Sequence, residues 1–434
     1  MKSRFPIFAA AVVTLISPAL LASPQAISTE AINAAVDRAA PAVIEVRHQV
    51  HQHPELSNRE FETSKLVAER LRSLGLEVQT GIARTGVVAI LKGAKPGPVV
   101  AVRSELDALP VTEDTDLPFK STLRSEYNGQ PVGVAHACGH DIHIAIVLGV
   151  ATVLTSMRDQ LPGTVMFIFQ PAEEGAPAGE EGGARLMLKE GIFSKLKPDA
   201  IFGLHVGNTD TGQFGYALGP TASAATTFKI EFHGKQAHAA APDQSIDPVV
   251  MASEAVMELQ TIRSRNLSPF APSVLSITMI HSGVRNNIIP EEADLAGTIR
   301  VFDDKVEDKI ETRMREIVDG VARGAGGTVQ LDFDHYGPVL VSDPALVKRM
   351  LPSLERAAGA ANVHESQPFM ASDDFAYFAH EVPGFFFMMG SRKPGTVSGV
   401  NHAPNFRADD SAIPIGMRAM TSVLLEYLQN TPAH

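Results

Sequence analysis

Residues 136 to 143 read HACGHDIH and hold three histidines, an aspartate and the only cysteine of the chain. Cys138 and His140 stand two apart, and Gly139 between them lets the backbone turn thiol and imidazole toward one point. Elsewhere, Glu105 and Asp107 follow PVVAVRS, Glu173 and Glu174 are adjacent after VMFIFQPA, and His205 follows AIFGL. Neighbouring residues at a strand end point in different directions, so one glutamate can bind a metal while the other reaches a water beside it. A mixed sulfur, nitrogen and oxygen shell suits zinc, manganese, cobalt or nickel. A carboxylate base next to a metal-activated water is the minimum equipment for hydrolysis. Each signal alone has a blander reading: a lone cysteine is usually inert packing, paired glutamates are usually solvated, and a histidine after a strand is usually a satisfied polar group. The chemistry therefore depends on whether the fold gathers them.

Continuous apolar runs at 87 to 90 (VVAI), 98 to 102 (PVVAV), 165 to 169 (VMFIF), 200 to 204 (AIFGL) and 384 to 389 (GFFFMM) predict strands covered on both faces. Helical periodicity marks 143 to 157, 343 to 359, and 58 to 74, the last after a Ser57-x-x-Glu60 capping box and stopping at Gly75. These predict an α/β layer with a largely parallel central sheet, in which ligands bind beyond the carboxyl ends of the strands. The acids and His205 are delivered to that edge.

Residues 221 to 336 follow another pattern. Their strands alternate: Phe228, Ile230, Phe232; Leu275, Ile277, Met279; Leu295, Gly297, Ile299, Val301; Val329, Leu331, Phe333. One face is thus buried and the other is wet or paired. Helices at 247 to 265, opening with Asp247-Pro248, and at 306 to 324, ending at Gly324, complete a βαββαβ ferredoxin-like unit. Gly219-Pro220 and Gly337-Pro338 read as hinge linkers, which makes 219 to 337 an inserted domain within a larger, discontinuous domain of 27 to 218 plus 338 to 434.

The opening residues, 1 to 26, have the layout of a signal peptide: Lys2 and Arg4, an apolar stretch, then small residues. Removing these two cations and no acids moves the formal charge from −12 to −14. An exported, periplasmic chain this acidic is not expected to bind nucleic acid, and no later segment approaches a membrane span. With 1 cysteine no internal disulfide is possible, so stability must come from a core drawn from the 44% hydrophobic residues.

HQHPELSNREFET (51 to 63), RSELDALP (103 to 110), HACGHDIHIA (136 to 145), FQPAEEG (169 to 175), GLHV (203 to 206), GKQAHAAAP (234 to 242), NIIP (287 to 290), GTIR (297 to 300), MASDDFAYF (370 to 378) and NHAPNF (401 to 406) occur in that order. Together they resemble the amidohydrolase branch of the aminoacylase and carboxypeptidase metallopeptidases, the group of hippurate hydrolases, N-acyl-amino-acid deacetylases and auxin-conjugate hydrolases. The resemblance implies two divalent metal ions held by Cys138, His140, Glu174, His205 and His402, with Cys138 as a bridging thiolate and Glu173 as general base. It implies that Asp107 orients the site, that Asp141 and His143 support the ligands, and that Asn287 and Arg300 hold the substrate carboxylate. His238 would serve the oxyanion in a partner's active site, the inserted unit acting as both lid and dimer interface, so a homodimer or higher homo-oligomer is expected. Two departures stand out: Glu105 replaces the usual aspartate two before Asp107, and Ser342 replaces an asparagine, leaving the contacts assigned to both positions in doubt.

The expected activity is hydrolysis of N-acyl or N-aroyl amino acids to a carboxylic acid and a free amino acid, with a dipeptidase or carboxypeptidase using the same site as the near alternative. A thiol enzyme built on Cys138 has no need of the glutamate pair, and a non-catalytic solute-binding protein has no need of a complete ligand set.

Overall fold

The computed structural model describes residues 27 to 431. The leader-like residues 1 to 26 lie outside the described residues. An eight-stranded sheet forms the centre, in the order Glu77–Ile82, Gly86–Lys92, Pro162–Gln170, Lys95–Glu105, Ala200–Asp210, Gly384–Arg392, Phe214–Tyr216, Val363–Glu365. The four middle strands run parallel to one another, and the antiparallel pairings fall toward the two sides. Each of the apolar runs lies in this sheet because both of its faces are covered. Phe385, Phe387 and Met389 enter the core beneath helices Thr29–Gln52, His140–Ser156 and Ala412–Asn430, while Phe386 enters the opposite core with Met187, Phe375 and Phe378. Of these runs, 87 to 90 sits in a strand that is antiparallel to both neighbours.

The second sheet has the order Ser273–Ser282, Glu292–Val301, Ala224–His233, Thr328–Gly337, with helices Pro248–Thr261 and Asp304–Ala325 on its buried face, which is the predicted βαββαβ order. Asp247 caps the first helix by accepting from the amides of Val249 and Val250. The second ends at left-handed Gly326 rather than at Gly324, which lies inside the helix. Alternation fails on the edge strand Ser273–Ser282, where a register shift between Ile277 and Met279 leaves Met279 and Ile280 exposed.

Two further local readings change. Gly219–Ala222 pairs antiparallel with Leu340–Ser342, so the segments read as hinge linkers include a two-stranded ribbon. Ser342 is buried in that ribbon, where its Oγ accepts from the Phe386 amide and the Thr221 hydroxyl. The capping box before Phe61–Ser73 does not form. Ser57 donates to Asp107 at 2.7 Å, Glu60 makes no side-chain cap bond, and Glu55 takes over by accepting from the amides of Glu62 and Thr63. The helix stops before Gly75, whose φ of 74° suits glycine.

Candidate metal centre

The parallel pairing of Lys95–Glu105 with Ala200–Asp210 ends at Arg103 and Gly203, whereas the latter strand continues alongside Gly384–Arg392. His205 therefore lies within a strand, not after one, and projects where the sheet has split open. Cys138 and Gly139 lead directly into helix His140–Ser156. Gly139 has φ 90°, and a Cβ there would fall 2.3 Å from Val206 Cγ2, so only glycine lets the thiol loop close on the sheet. Non-glycine residues with positive φ stand beside both remaining parts of the site: Ala172, just before the glutamate pair, and His402 itself. Backbone strain of this kind persists only where surrounding contacts impose it. At His402 these are its own amide to the Ala137 carbonyl and the Asn401 amide group bonding the Cys138 and Val206 carbonyls.

These elements bring the sequence-predicted ligands together. Cys138 Sγ is 3.4 Å from His205 Nε2 and 3.3 Å from His402 Nε2. His402 Nε2 is 3.2 Å from Glu174 Oε1, and His140 Nε2 is 3.9 Å from the same oxygen and 3.6 Å from Glu173 Oε2. Two ligands of one tetrahedral zinc, with bonds of about 2.0–2.3 Å, lie roughly 3.3–3.6 Å apart. The nitrogens also present the correct faces. His140 Nδ1 donates to the Asp107 carbonyl and His205 Nδ1 to the Val206 carbonyl, which leaves each Nε2 lone pair directed into the site. His140 Nε2 and Glu174 Oε1 are buried without a hydrogen-bond partner. A buried lone pair facing only other lone pairs calls for a cation, and the donor set fits a divalent one.

The surroundings reinforce this. Asp107 accepts the amides of both Glu173 (3.1 Å) and Glu174 (3.0 Å) as well as the Ser57 hydroxyl; burial opposes its ionisation, but His140 and these donors hold its carboxyl below the usual range. Glu105 is fully buried against Arg103 and receives His143 Nδ1 at 2.8 Å, while His143 Nε2 accepts from the Val206 amide. The longer side chain at 105 thus orients His143. Asp141 likewise binds Arg47 and His51, away from the ligand atoms. Burial, then Glu174 and Glu173, push the Cys138 thiol well up, and burial with Asp373 and Glu174 does the same to Glu173. The protein's own charges leave the site short of positive charge, and a bound cation would reverse both shifts.

A cavity of about 600 Å³ opens over this cluster, lined by Cys138, Glu173, Glu174, His205 and His402 on one side and by Arg300, Thr227 and Tyr336 of the second sheet on the other. Arg300 lies on the face opposite Ile299 and Val301, half-buried, and donates to Ser372 at 3.1 Å. His238 and Asn287 do not line the cavity. They are exposed on a separate ribbon, where the Ala239 amide bonds the Asn287 carbonyl.

Residue patterns did not single out Tyr336, whose hydroxyl donates to the Glu173 carbonyl, nor Arg103, which binds Asp373, Asp374 and Gln170 beneath the cavity. A charged residue inside the apolar run PVVAVRS was the available signal for Arg103, since a buried guanidinium must find acids.

The sequence profile of peptidase family M20/M25/M40 matches residues 101–426. The chain belongs to that family. Among relatives of this M20/M25/M40 hydrolase, a protein named thermostable carboxypeptidase 1 from Saccharolobus solfataricus is 38% identical over 89% of this chain and 95% of its own length. N-acetylcysteine deacetylase of Bacillus subtilis is 35% identical over 89% and 97%. A solved Bacillus subtilis structure, described as a dinuclear metal-binding peptidase, is 32% identical, covers 90% of this chain and 99% of its own, and superposes with a TM-score of 0.74.

Proposed function

We propose that this hydrolase splits the amide bond of N-acyl or N-aroyl amino acids, compounds of the hippurate type, with two divalent ions in the site. One observation carries the reading: Cys138, His140, His205 and Cys138, Glu174, His402 form two ligand groups that share the thiol, and all of these but His140 line one cavity with Arg300. Those residues would hold the pair, Cys138 being common to both groups. Zinc, manganese, cobalt or nickel bound there supplies the Lewis acidity that polarises a carbonyl and acidifies water. Glu173, adjacent to Glu174 and outside the two groups that share the thiol although it also meets His140, takes the proton of the attacking water and returns it to the leaving amine. Asp107 fixes the backbone of both glutamates through their amides. Arg300 accepts the substrate's free carboxylate, for which a guanidinium fork is suited. Phe369, Met370 and Met388 give the cavity an apolar wall for the acyl group.

The carboxypeptidase name of one relative favours a second reading, cleavage of dipeptides or of a C-terminal residue, because Arg300 would meet a free carboxylate there too. Relative kcat/KM on hippurate, N-acetyl amino acids and dipeptides separates the two. Chelation should abolish hydrolysis of hippurate and added metal should restore it; a stripped protein that keeps its activity refutes the proposal.

His238 and Asn287 are assigned to a neighbouring subunit's cavity, since both are exposed away from their own. The bulged edge strand with exposed Met279 and Ile280 supports pairing of two inserted sheets as the dimer contact, and sedimentation of the purified chain tests it. No helix among the described residues is long and apolar enough to cross a membrane. Periplasmic location rests on residues 1 to 26, and the N-terminal sequence of protein recovered from periplasm tests it.

A further inference from the structure

Glu60 is an acid without an evident task. It stands at the start of Phe61–Ser73, where the sequence suggests a cap, yet Glu55 supplies that cap and Glu60 is completely buried. Its two oxygens are committed elsewhere: Oε2 accepts the Thr85 hydroxyl at 2.6 Å, and Oε1 accepts the Ala172 amide at 2.9 Å. Ala172 has φ 51°, a left-handed conformation that costs a residue with a Cβ about 1–2 kcal/mol. The next two amides, of Glu173 and Glu174, are bound by the two oxygens of Asp107. Three consecutive N–H groups are thus gripped by carboxylates from two distant segments. Bringing both acids into the interior is unfavourable, since burial strips them of water and each repels the other's charge, so their retention points to the geometry they impose.

We infer that Glu60 is a positioning residue for the glutamate pair: with Thr85 it locks Ala172 in its left-handed turn, and that turn sends the Glu173 and Glu174 side chains in their separate directions. The inference rests on the reading of Glu173 as base and Glu174 as ligand. Glu60 touches no reacting atom. Without its grip, Ala172 can relax toward negative φ and swing the following carboxylates, and displacement of a catalytic group by about 1 Å can cost on the order of 100-fold in rate.

The test uses the metal-loaded full chain with Glu60→Ala, Glu60→Gln and Thr85→Val. Amide hydrogen exchange across 172 to 174 should speed up in Glu60→Ala while helix His140–Ser156 keeps its protection. On the substrate that the wild type turns over, kcat should fall about 10- to 100-fold with KM within about 2-fold. Glu60→Gln retains an acceptor for the Ala172 amide and should recover most of kcat and of the exchange protection. If Glu60→Ala does not fold, Thr85→Val, which removes only the hydroxyl, should still loosen 172 to 174 and lower kcat. Wild-type exchange at 172 to 174, or wild-type kcat, in the folded variants overturns the inference. If instead Glu173→Gln leaves turnover intact while Glu60→Ala still frees the 172 to 174 amides, the assignment of Glu173 fails and the anchoring by Glu60 stands.

Discussion

Replacing Gly139 by alanine is a one-carbon change with a calculable effect. The residue holds φ 90°, so a Cβ first incurs about 1–2 kcal/mol of left-handed backbone strain. Its Cβ would then lie 2.3 Å from Val206 Cγ2, far inside contact distance, and relieving such an overlap in a packed interior costs about 1–3 kcal/mol. Together the expected destabilisation is roughly 2–5 kcal/mol, since the strain is local to Gly139 and the overlap is with the strand that carries Val206. The damage should not remain local to stability. Any backbone shift of Val206 moves its amide, which is bound to His143, and its carbonyl, which holds His205 and Asn401. Guanidinium denaturation of Gly139→Ala should show a lower midpoint at unchanged slope, accompanied by weaker metal affinity in a competition titration. A midpoint and an affinity both equal to those of the wild type would refute the claim that the thiol loop needs glycine.

Three more outcomes are expected. Glu173→Gln should keep its bound metal while kcat falls about 10²–10⁴-fold; loss of metal as well would mean that the two glutamates have exchanged roles. Arg300→Ala should lower kcat/KM for substrates with a free carboxylate about 10- to 100-fold, the range of a lost charge-assisted bond, and leave the amidated analogues unaffected, as initial-rate kinetics on both series will show. Burial, then the charge of Asp107, push Glu60 from 4.5 up to about 7. A raised carboxyl favours the folded state below its unfolded value and loses that advantage as pH climbs through the folded one, so wild type should weaken relative to Glu60→Gln between about pH 4.5 and 7. The shift corresponds to about 3 kcal/mol, and a difference in unfolding free energy that is flat with pH would contradict it.

The strands of the central sheet could be read directly because GFFFMM and its counterparts are buried on both faces, and burial on both faces leaves no polar alternation to interpret. The ligand types were legible for a similar reason: cysteine, histidine and paired acids are conspicuous in otherwise apolar surroundings. Partners were not. Ser57-x-x-Glu60 has the spacing of a cap, but Ser57 is drawn to Asp107 and Glu60 to Ala172, contacts spanning 50 and 112 residues that local spacing cannot encode. Arg103 finds Asp373 and Asp374 some 270 positions away. The bulge at Met279 and the helix end at Gly326 rather than Gly324 depend on how neighbouring strands and turns settle, which periodicity averages over.

Strand Gly384–Arg392 lies between Ala200–Asp210 and Phe214–Tyr216, two strands only a short turn apart along the chain. During synthesis this gap stays open until residues 384 to 392 have left the ribosome, so a nascent product lacking them carries two bare strand edges. The smaller four-stranded unit closes on residues that emerge earlier. Emergence of Gly384–Arg392 is therefore the event that closes the sheet of a sticky intermediate, and stop codons ahead of that strand should yield insoluble product even when every earlier residue is intact.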